Sequence, residues 1–388
     1  MIPRESRHYP ILDLYRAIAS FAVVLYHIAG SLEIAGMASH AYVAVDFFFL
    51  LSGFVIDRAY GARLEDPSYR LEFLLLRFVR LWPMIVLGTL VGAFVATGSL
   101  LRGHALDLSN MALVLAFGLL LLPFGRMPLT ASIFPFDGPL WSLFYEVVAN
   151  AAYGFAFRWL RIPVLSTLVI LCGGGLVAIS LQQGDLELGA RTGEISAGFL
   201  RVGFSFFAGV LMSRIGTAST VSGRTAIISV AVLIAVLFVP LPLHPIYDIV
   251  CVLVVFPLLI WRSAATAVPP GWRQACSFVG ELSYPLYAVH YPITRVFFYF
   301  QDKLALGKTA LAFSIVLEVI TCLGAAYVAT KFVDQPVRDW LGSRLGSWLE
   351  RMRSPRTVPV TGSTWVAPGL PATTAATSAG KPELSGRE

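Results

Sequence analysis

The sequence predicts an all-α integral membrane protein of about ten transmembrane helices plus a short re-entrant or interfacial helix, and three observations support this. Only 13% of the 388 residues are charged while 57% are hydrophobic, against roughly 25% charged in a soluble domain. Apolar runs close to the ~20 residues that cross a bilayer recur along the chain. Arginine and lysine collect between alternate runs, as they do on the cytoplasmic side of a membrane. That bias accounts for the net charge of +6 without nucleic acid, so the expected partner is the lipid bilayer.

The ten spans fall at 11–30, 41–59, 81–97, 139–157, 163–182, 198–213, 225–240, 246–261, 282–300 and 309–333. The first carries Asp13, Arg16 and His27 and ends without a small-x-small site, so it reads as a retained span and not as a cleaved signal peptide. Residues 111–124 are too few to cross, and counting them as a span would put Arg158, Arg161, Arg214, Arg224, Arg262 and Arg273 outside. They form the expected re-entrant or interfacial helix. Ten spans then keep Arg4, Arg7, Arg58, Arg63, Arg70, Arg77, Arg80 and the tail from Lys331 on the cytoplasmic side, with both termini, in a bacterial inner membrane. Outer loops retain mainly Arg102, Arg126, Arg191, Lys303 and Lys308.

Residues 1–340 form the transmembrane domain. Residues 341–388 form a cytoplasmic tail, rich in Thr, Pro, Ser, Gly and Ala after Arg356 and expected to be largely disordered. Cys172, Cys251, Cys276 and Cys322 are scattered, without metal or redox spacing, and no metal site is expected. No inverted repeat of the transporter kind is visible.

Ionisable groups inside spans are costly and mark function. In the first span Arg16 and His27 are eleven residues apart, which places them roughly 20° apart around a helix and about 16 Å apart along it. Asp13 and Ser20 share that face. Asp46 lies near the outer end of the second span and Glu146 within the fourth, at depths similar to His27. A carboxylate that orients a neutral imidazole makes a base able to take a hydroxyl proton, which suits acyl transfer or hydrolysis. Isolated residues of this kind also serve as hydrogen-bonding seams between helices.

The fourth span carries Ser142, Glu146, Asn150 and Tyr153 on one face, after Trp141. Arg77 and Arg80 open the third span, where positive-inside topology alone also puts arginines; they are suited to the phosphates of a nucleotide-bearing donor. Tyr287 and His290 stand at i and i+3 in the ninth span.

This constellation resembles the acyltransferase-3 family of membrane O-acyltransferases over most of 9–340. Leu12-Asp13-x-x-Arg16 leading to His27 is similar to the family's Arg-x10-His helix, and Phe48-Phe49-Leu50-Leu51-Ser52-Gly53 to its Phe-Phe-x-x-Ser-Gly. Arg77-x-x-Arg80 with Trp82-Pro83, Trp141-Ser142-Leu143-x-x-Glu146, Tyr284 to His290, and Asp334-Gln335-Pro336 follow in family order. After Glu146 the chain departs from the family's Glu-Gln-Phe-Tyr, reading Val147-Val148-Ala149-Asn150, which bears on acceptor choice.

The resemblance implies that His27 is the catalytic base, supported by Glu146. It also implies that Arg16, Arg77 and Arg80 handle cytoplasmic acyl-CoA, with acetyl-CoA the expected co-substrate and no tightly bound cofactor. Asp13, Asp46, Ser52, Trp141, Ser142, Asn150, Tyr287 and His290 would bind the acceptor or support the site. The acceptor would be a hydroxyl of an extracytoplasmic carbohydrate or glycoconjugate. Some family members carry a fused esterase-like domain, so this chain is expected to act as a standalone transferase or with a separate partner. A proton-coupled transporter would also use intramembrane His, Glu and Arg, but predicts solute flux without acyl-CoA turnover. An intramembrane serine protease using Ser52 is disfavoured, because Leu50 stands where a Gly-x-Ser-Gly motif needs glycine.

Overall fold

The computed structural model describes residues 9–100, 108–124, 131–216, 223–241, 244–264, 266 and 268–353. Among them the regular elements are all helical, and an isolated antiparallel bridge joins Ser132 to Arg191. Helix α1 (Pro10–Ser31) opens on proline, whose missing N–H removes no helical bond at that position. A 3-10 turn (Ala41–Val43) leads into α2 (Ala44–Leu64), and α3 (Tyr69–Leu100) continues through Pro83. Helix α4 (Leu108–Leu119) has 12 residues, about 18 Å of rise, and is short for a hydrocarbon core of about 30 Å.

Helices α5 (Leu140–Ala156), α6 (Ile162–Gln183), α7 (Ile195–Ile215) and α8 (Gly223–Phe238) follow. Gly184, at φ 97°, adopts the left-handed conformation that ends α6. One π-helical turn (Cys251–Val255) joins α9 (Ile246–Val250) to α10 (Phe256–Ser263) in a continuous rod. Helix α11 (Pro270–Leu304) carries Pro285 and Pro292 internally. Helix α12 (Lys308–Ala329) passes through a second π-helical turn (Thr330–Asp334) into α13 (Gln335–Arg353).

Each of the ten segments expected to span overlaps a helix, but among the described residues six helical stretches are both long and apolar enough to cross by length and composition. The other four differ for physical reasons. Helix α2 carries Asp46, Asp57, Arg58 and Arg63, α5 and α8 have 17 and 16 residues, and α11 is long but polar at both ends. Arg4, Arg7, Arg102, Arg126 and the tail from 354 onward lie outside the described residues. Residues 341–353, expected at the head of a disordered tail, are helical instead. Leu341, Leu345, Trp348 and Met352 recur there every three or four residues, which gives the segment an apolar stripe.

The most extensive packing pairs α2 with α7 and α1 with α11. The α2–α7 crossing brings backbones into contact. A Cβ at Gly53 would collide with the Phe206 carbonyl, and one at Gly209 with the Leu50 carbonyl. Small residues that let backbones meet are the usual device for helix association in lipid. Phe94, Ile170, Leu171, Ile227, Phe313 and Phe332 point outward and exposed, as suits a hydrocarbon surround.

Candidate active site

His27 of α1 and His290 of α11 meet, with ring centroids 5.2 Å apart and planes inclined by 37°. Tyr291 approaches the His27 ring edge-on at 5.2 Å. His290 lies between the two prolines of α11, which leave the carbonyls of Glu281 and Ala288 without their usual helical donors. Its Nδ1 is 2.8 Å from the Tyr287 carbonyl and 3.1 Å from that of Leu286. Carbonyls only accept, so Nδ1 carries the proton and Nε2 of the neutral ring holds a lone pair. That Nε2 is buried without a hydrogen-bond partner. His290 is 0% exposed, whereas His27 is only partly buried. Thus His27 is the less buried member of the pair, and His290 packs behind it.

One turn before His290, Tyr287 shares a 2.7 Å hydrogen bond with Ser142 of α5, and its hydroxyl also donates to the Pro139 carbonyl at 3.2 Å. Ser142 and Tyr287 line a cleft of about 850 Å³, mouth included. The rest of the polar lining comes from Arg16, Arg77, Arg80, Ser52, Glu146, Ser283 and Tyr284. Three guanidiniums face one carboxylate, so the cleft suits an anion.

Each arginine is held by its own partners. Arg16 donates to the Gly280 carbonyl at 2.7 Å and to Ser283 Oγ at 3.0 Å, with Asp13 at 3.2 Å. Arg77 donates to Glu146 Oε1 at 3.0 Å, and its Nε is buried without a hydrogen-bond partner. Arg80 meets Asp334 at 3.4 Å and lies over the Tyr284 ring. Arg16 and His27 both meet α11, so α1 links the arginine-lined cleft to the histidine pair.

Other residues singled out from the sequence form no hydrogen bond to the histidine pair. Glu146 accepts hydrogen bonds from Ser52 at 2.7 Å and from Arg77, so its bonds go into the cleft and not to an imidazole. Asp46 forms a buried ion pair with Arg201, 2.6 Å from Asp46 Oδ2 to Arg201 Nη2, and accepts from Ser205 at 3.3 Å. Neither carboxylate is hydrogen-bonded as the expected orienting group for His27. Trp141 lies with its ring 5.2 Å from the Arg201 guanidinium. Asn150 donates back to the Glu146 carbonyl in its own helix at 2.7 Å, and Tyr153 donates to Asp57 at 2.8 Å. The polar face of α5 therefore divides between the cleft, the helix's own backbone at Asn150 and a seam with α2 at Tyr153.

Arg201 and Asp137 are prominent in the structure but were not legible as site residues. Arg201 offered the same signal as Arg16, a charge inside a span. Asp137 stands alone in Phe134-Pro135-Phe136-Asp137-Gly138-Pro139, in no pattern. Both its carboxylate oxygens are buried without hydrogen-bond partners.

The acyltransferase-3 family model, an acyltransferase domain, matches residues 9–330. The chain belongs to the acyltransferase-3 family. The match to this acyltransferase-3 domain runs from the start of α1 to the π-helical turn after α12 and so includes both histidines and all three cleft arginines. A relative, "Protein 2 in picA locus" of Rhizobium radiobacter, is 33% identical over 180 residues, which is 43% of this chain and 91% of the relative. No solved structure matches. Family and apolar helices together make this acyltransferase-3 protein a multi-pass membrane acyltransferase.

Proposed function

We propose that the protein moves an acetyl group from cytoplasmic acetyl-CoA to a hydroxyl of an extracytoplasmic carbohydrate or glycoconjugate. The observation that carries this reading is the arginine-lined cleft joined through Ser142 and Tyr287 to the His27–His290 pair. In this reading the ten helical segments all cross the bilayer, with both termini in the cytoplasm of a bacterial cell. The cleft then lies toward the cytoplasm, and His27, near the far end of α1, lies toward the acceptor.

Arg16, Arg77 and Arg80 hold the phosphates of CoA, whose charge meets three guanidiniums through charge-assisted hydrogen bonds. His27 takes the proton of the acceptor hydroxyl as its oxygen bonds to the thioester carbonyl carbon. The C–S bond then breaks, and the proton passes from the imidazole to the departing thiolate, leaving CoA and the ester. Tyr287 and Ser142 supply hydroxyl donors between cleft and histidines, placed to meet the oxyanion. His290, anchored through Nδ1, fixes the orientation of the His27 ring. No tightly bound cofactor takes part, and acyl-CoA is a co-substrate.

The test is acetyl-CoA-dependent labelling of cell-envelope glycans by membranes holding equal amounts of wild type, His27→Ala or Glu146→Gln. Labelling by the wild type should fall to background with His27→Ala and drop at least about tenfold with Glu146→Gln, about 1.4 kcal/mol of lost barrier reduction. Wild-type transfer by His27→Ala would remove His27 from the chemistry. Solute flux without any acyl transfer would replace the enzyme by a transporter.

A further inference from the structure

Beyond the end of α1, two loops and the short helix α9 bring His40 together with two residues about 200 positions later in the sequence. His40 precedes α2, His244 follows α8, and Asp248 lies in the first turn of α9. One ligand atom from each lies within 4.8 Å of the others. His40 and Asp248 are both 0% exposed.

The hydrogen bonds around them leave two buried acceptor atoms without a donor. His40 Nε2 is 3.0 Å from the Leu241 carbonyl and 3.4 Å from the Leu241 amide. One nitrogen cannot satisfy both, and the shorter contact makes Nε2 the donor, which leaves the lone pair on Nδ1. On the carboxylate, Oδ2 accepts from the Tyr42 hydroxyl at 2.7 Å and from the Leu186 amide at 2.9 Å. The remaining Asp248 Oδ1 and His40 Nδ1 are both buried and have no hydrogen-bond partner. These two acceptors face each other at 3.6 Å.

We propose that His40, His244 and Asp248 bind a divalent cation of the zinc class. Two ligands on a tetrahedral zinc, at about 2.0–2.1 Å each, stand about 3.4 Å apart, close to the 3.6 Å between His40 Nδ1 and Asp248 Oδ1. His244, with its side chain 37% exposed and its Nδ1 now 3.0 Å from the Tyr42 hydroxyl, moves inward from that bond to complete the set. Two imidazoles and one carboxylate suit zinc and its neighbours and not the oxygen-only sites of calcium or magnesium. Leu241 on His40, and Tyr42 and Leu186 on Asp248, are the outer hydrogen bonds that orient such ligands. Three protein ligands leave a fourth position for water.

The site is a clamp and takes no part in the acyl chemistry. Between it and His27 stand the rings of Tyr26 and Tyr42, 6.0 Å apart, which keep the cation off the reacting atoms. It ties the loop after α1 to the loops flanking α9 and α6, and does so whatever the protein transfers. No local motif announced it, because its ligands are assembled by the fold.

The test uses the full chain purified in detergent, stripped with a chelator and titrated with zinc, with metal content and thermal unfolding as readouts. The stripped wild type should take up one zinc per chain and gain several degrees in Tm, while magnesium and calcium give no shift. His244→Ala, a change at an exposed loop position, should weaken zinc by more than about 100-fold, beyond the loss an outer-shell change causes. It should also abolish the zinc-dependent rise in Tm. His40→Gln and Asp248→Asn should behave alike; if they fail to fold, His244→Ala decides alone. Wild-type zinc affinity in His244→Ala, or no saturable zinc uptake by the folded wild type, overturns the proposal.

Discussion

Arg201 is among the largest side chains that the fold buries completely, and everything around it serves to satisfy one guanidinium. Its Nε and Nη2 bond Asp46, Nη2 also reaches the Tyr42 carbonyl, and Nη1 reaches the Leu188 carbonyl at 2.7 Å. A buried pair of this kind is strongly destabilising to break from one side, by roughly 3–5 kcal/mol, because a charge is left uncompensated. Asp46→Asn or Arg201→Met should therefore lower the thermal midpoint markedly in detergent. The double change Asp46→Leu with Arg201→Met should recover much of the loss, and a double variant no better than the worse single one would show that the pair is not the unit of stability. Asp46 was legible as a costly charge in a span, but its role was not. The sequence offered His27 as a partner at similar depth, and only the packing of α2 on α7 reveals that a guanidinium is closer. Glu146 is a second case: counting residues puts it at the depth of His27, yet its bonds to Ser52 and Arg77 hold it in the cleft with Arg16, so the neighbour that a span residue meets depends on packing.

At the scale of elements, the motif Ser52-Gly53 divides its work between two neighbours. Ser52 turns to Glu146 of α5, while Gly53 lets the α2 backbone meet α7. Gly209 repeats the device from the other side, against the Leu50 carbonyl. Gly53→Ala should thus push α2 from α7 and displace Ser52 from Glu146, lowering the thermal midpoint and, with it, transfer activity. Gly174→Ala is the matched control, since no atom lies near its added methyl, and in a helix interior it should be neutral or stabilising by up to about 1 kcal/mol. Equal tolerance of both substitutions would remove the close crossing from the account. Where the helices lie was legible because apolar length and polar loops alternate so strongly, but α3 and α11 each begin 12 residues before the apolar segment read from the sequence, since their first turns are polar. Which helices touch was not legible, since every face of an apolar helix looks alike in sequence. The helical start of the expected tail also escaped notice, because the stripe of Leu341, Leu345, Trp348 and Met352 is sparse and set among charges.

For the molecule as a whole, the question is how many helices cross, because that decides whether the cleft and the histidine pair open to opposite compartments. Among the described residues six stretches qualify by length and composition, but the four expected spans that fall short include α2, α5 and α11, which carry Ser52, Glu146, Tyr287 and His290. Helices that line a polar site are expected to score poorly as isolated spans, since their inward faces carry the groups that function requires. Ten crossings put Glu33, Asp185 and Asp302 on one side of the bilayer and Glu65, Arg158 and Ser347 on the other. Single cysteines at these positions report the side directly. Background reaction is low, as Cys251, Cys276 and Cys322 are buried, and Cys172 can be replaced by serine. In intact cells an impermeant maleimide should label Glu33→Cys, Asp185→Cys and Asp302→Cys, and should reach Glu65→Cys, Arg158→Cys and Ser347→Cys only after permeabilisation. Two consecutive positions expected on opposite sides but labelled from the same side would identify the helix between them as non-crossing. Labelling of Glu33→Cys and Glu65→Cys from the same side would mean that α2 does not cross. The arginine cleft and the histidine pair would then share a compartment, and the proposed passage of the acyl group across the membrane would fail.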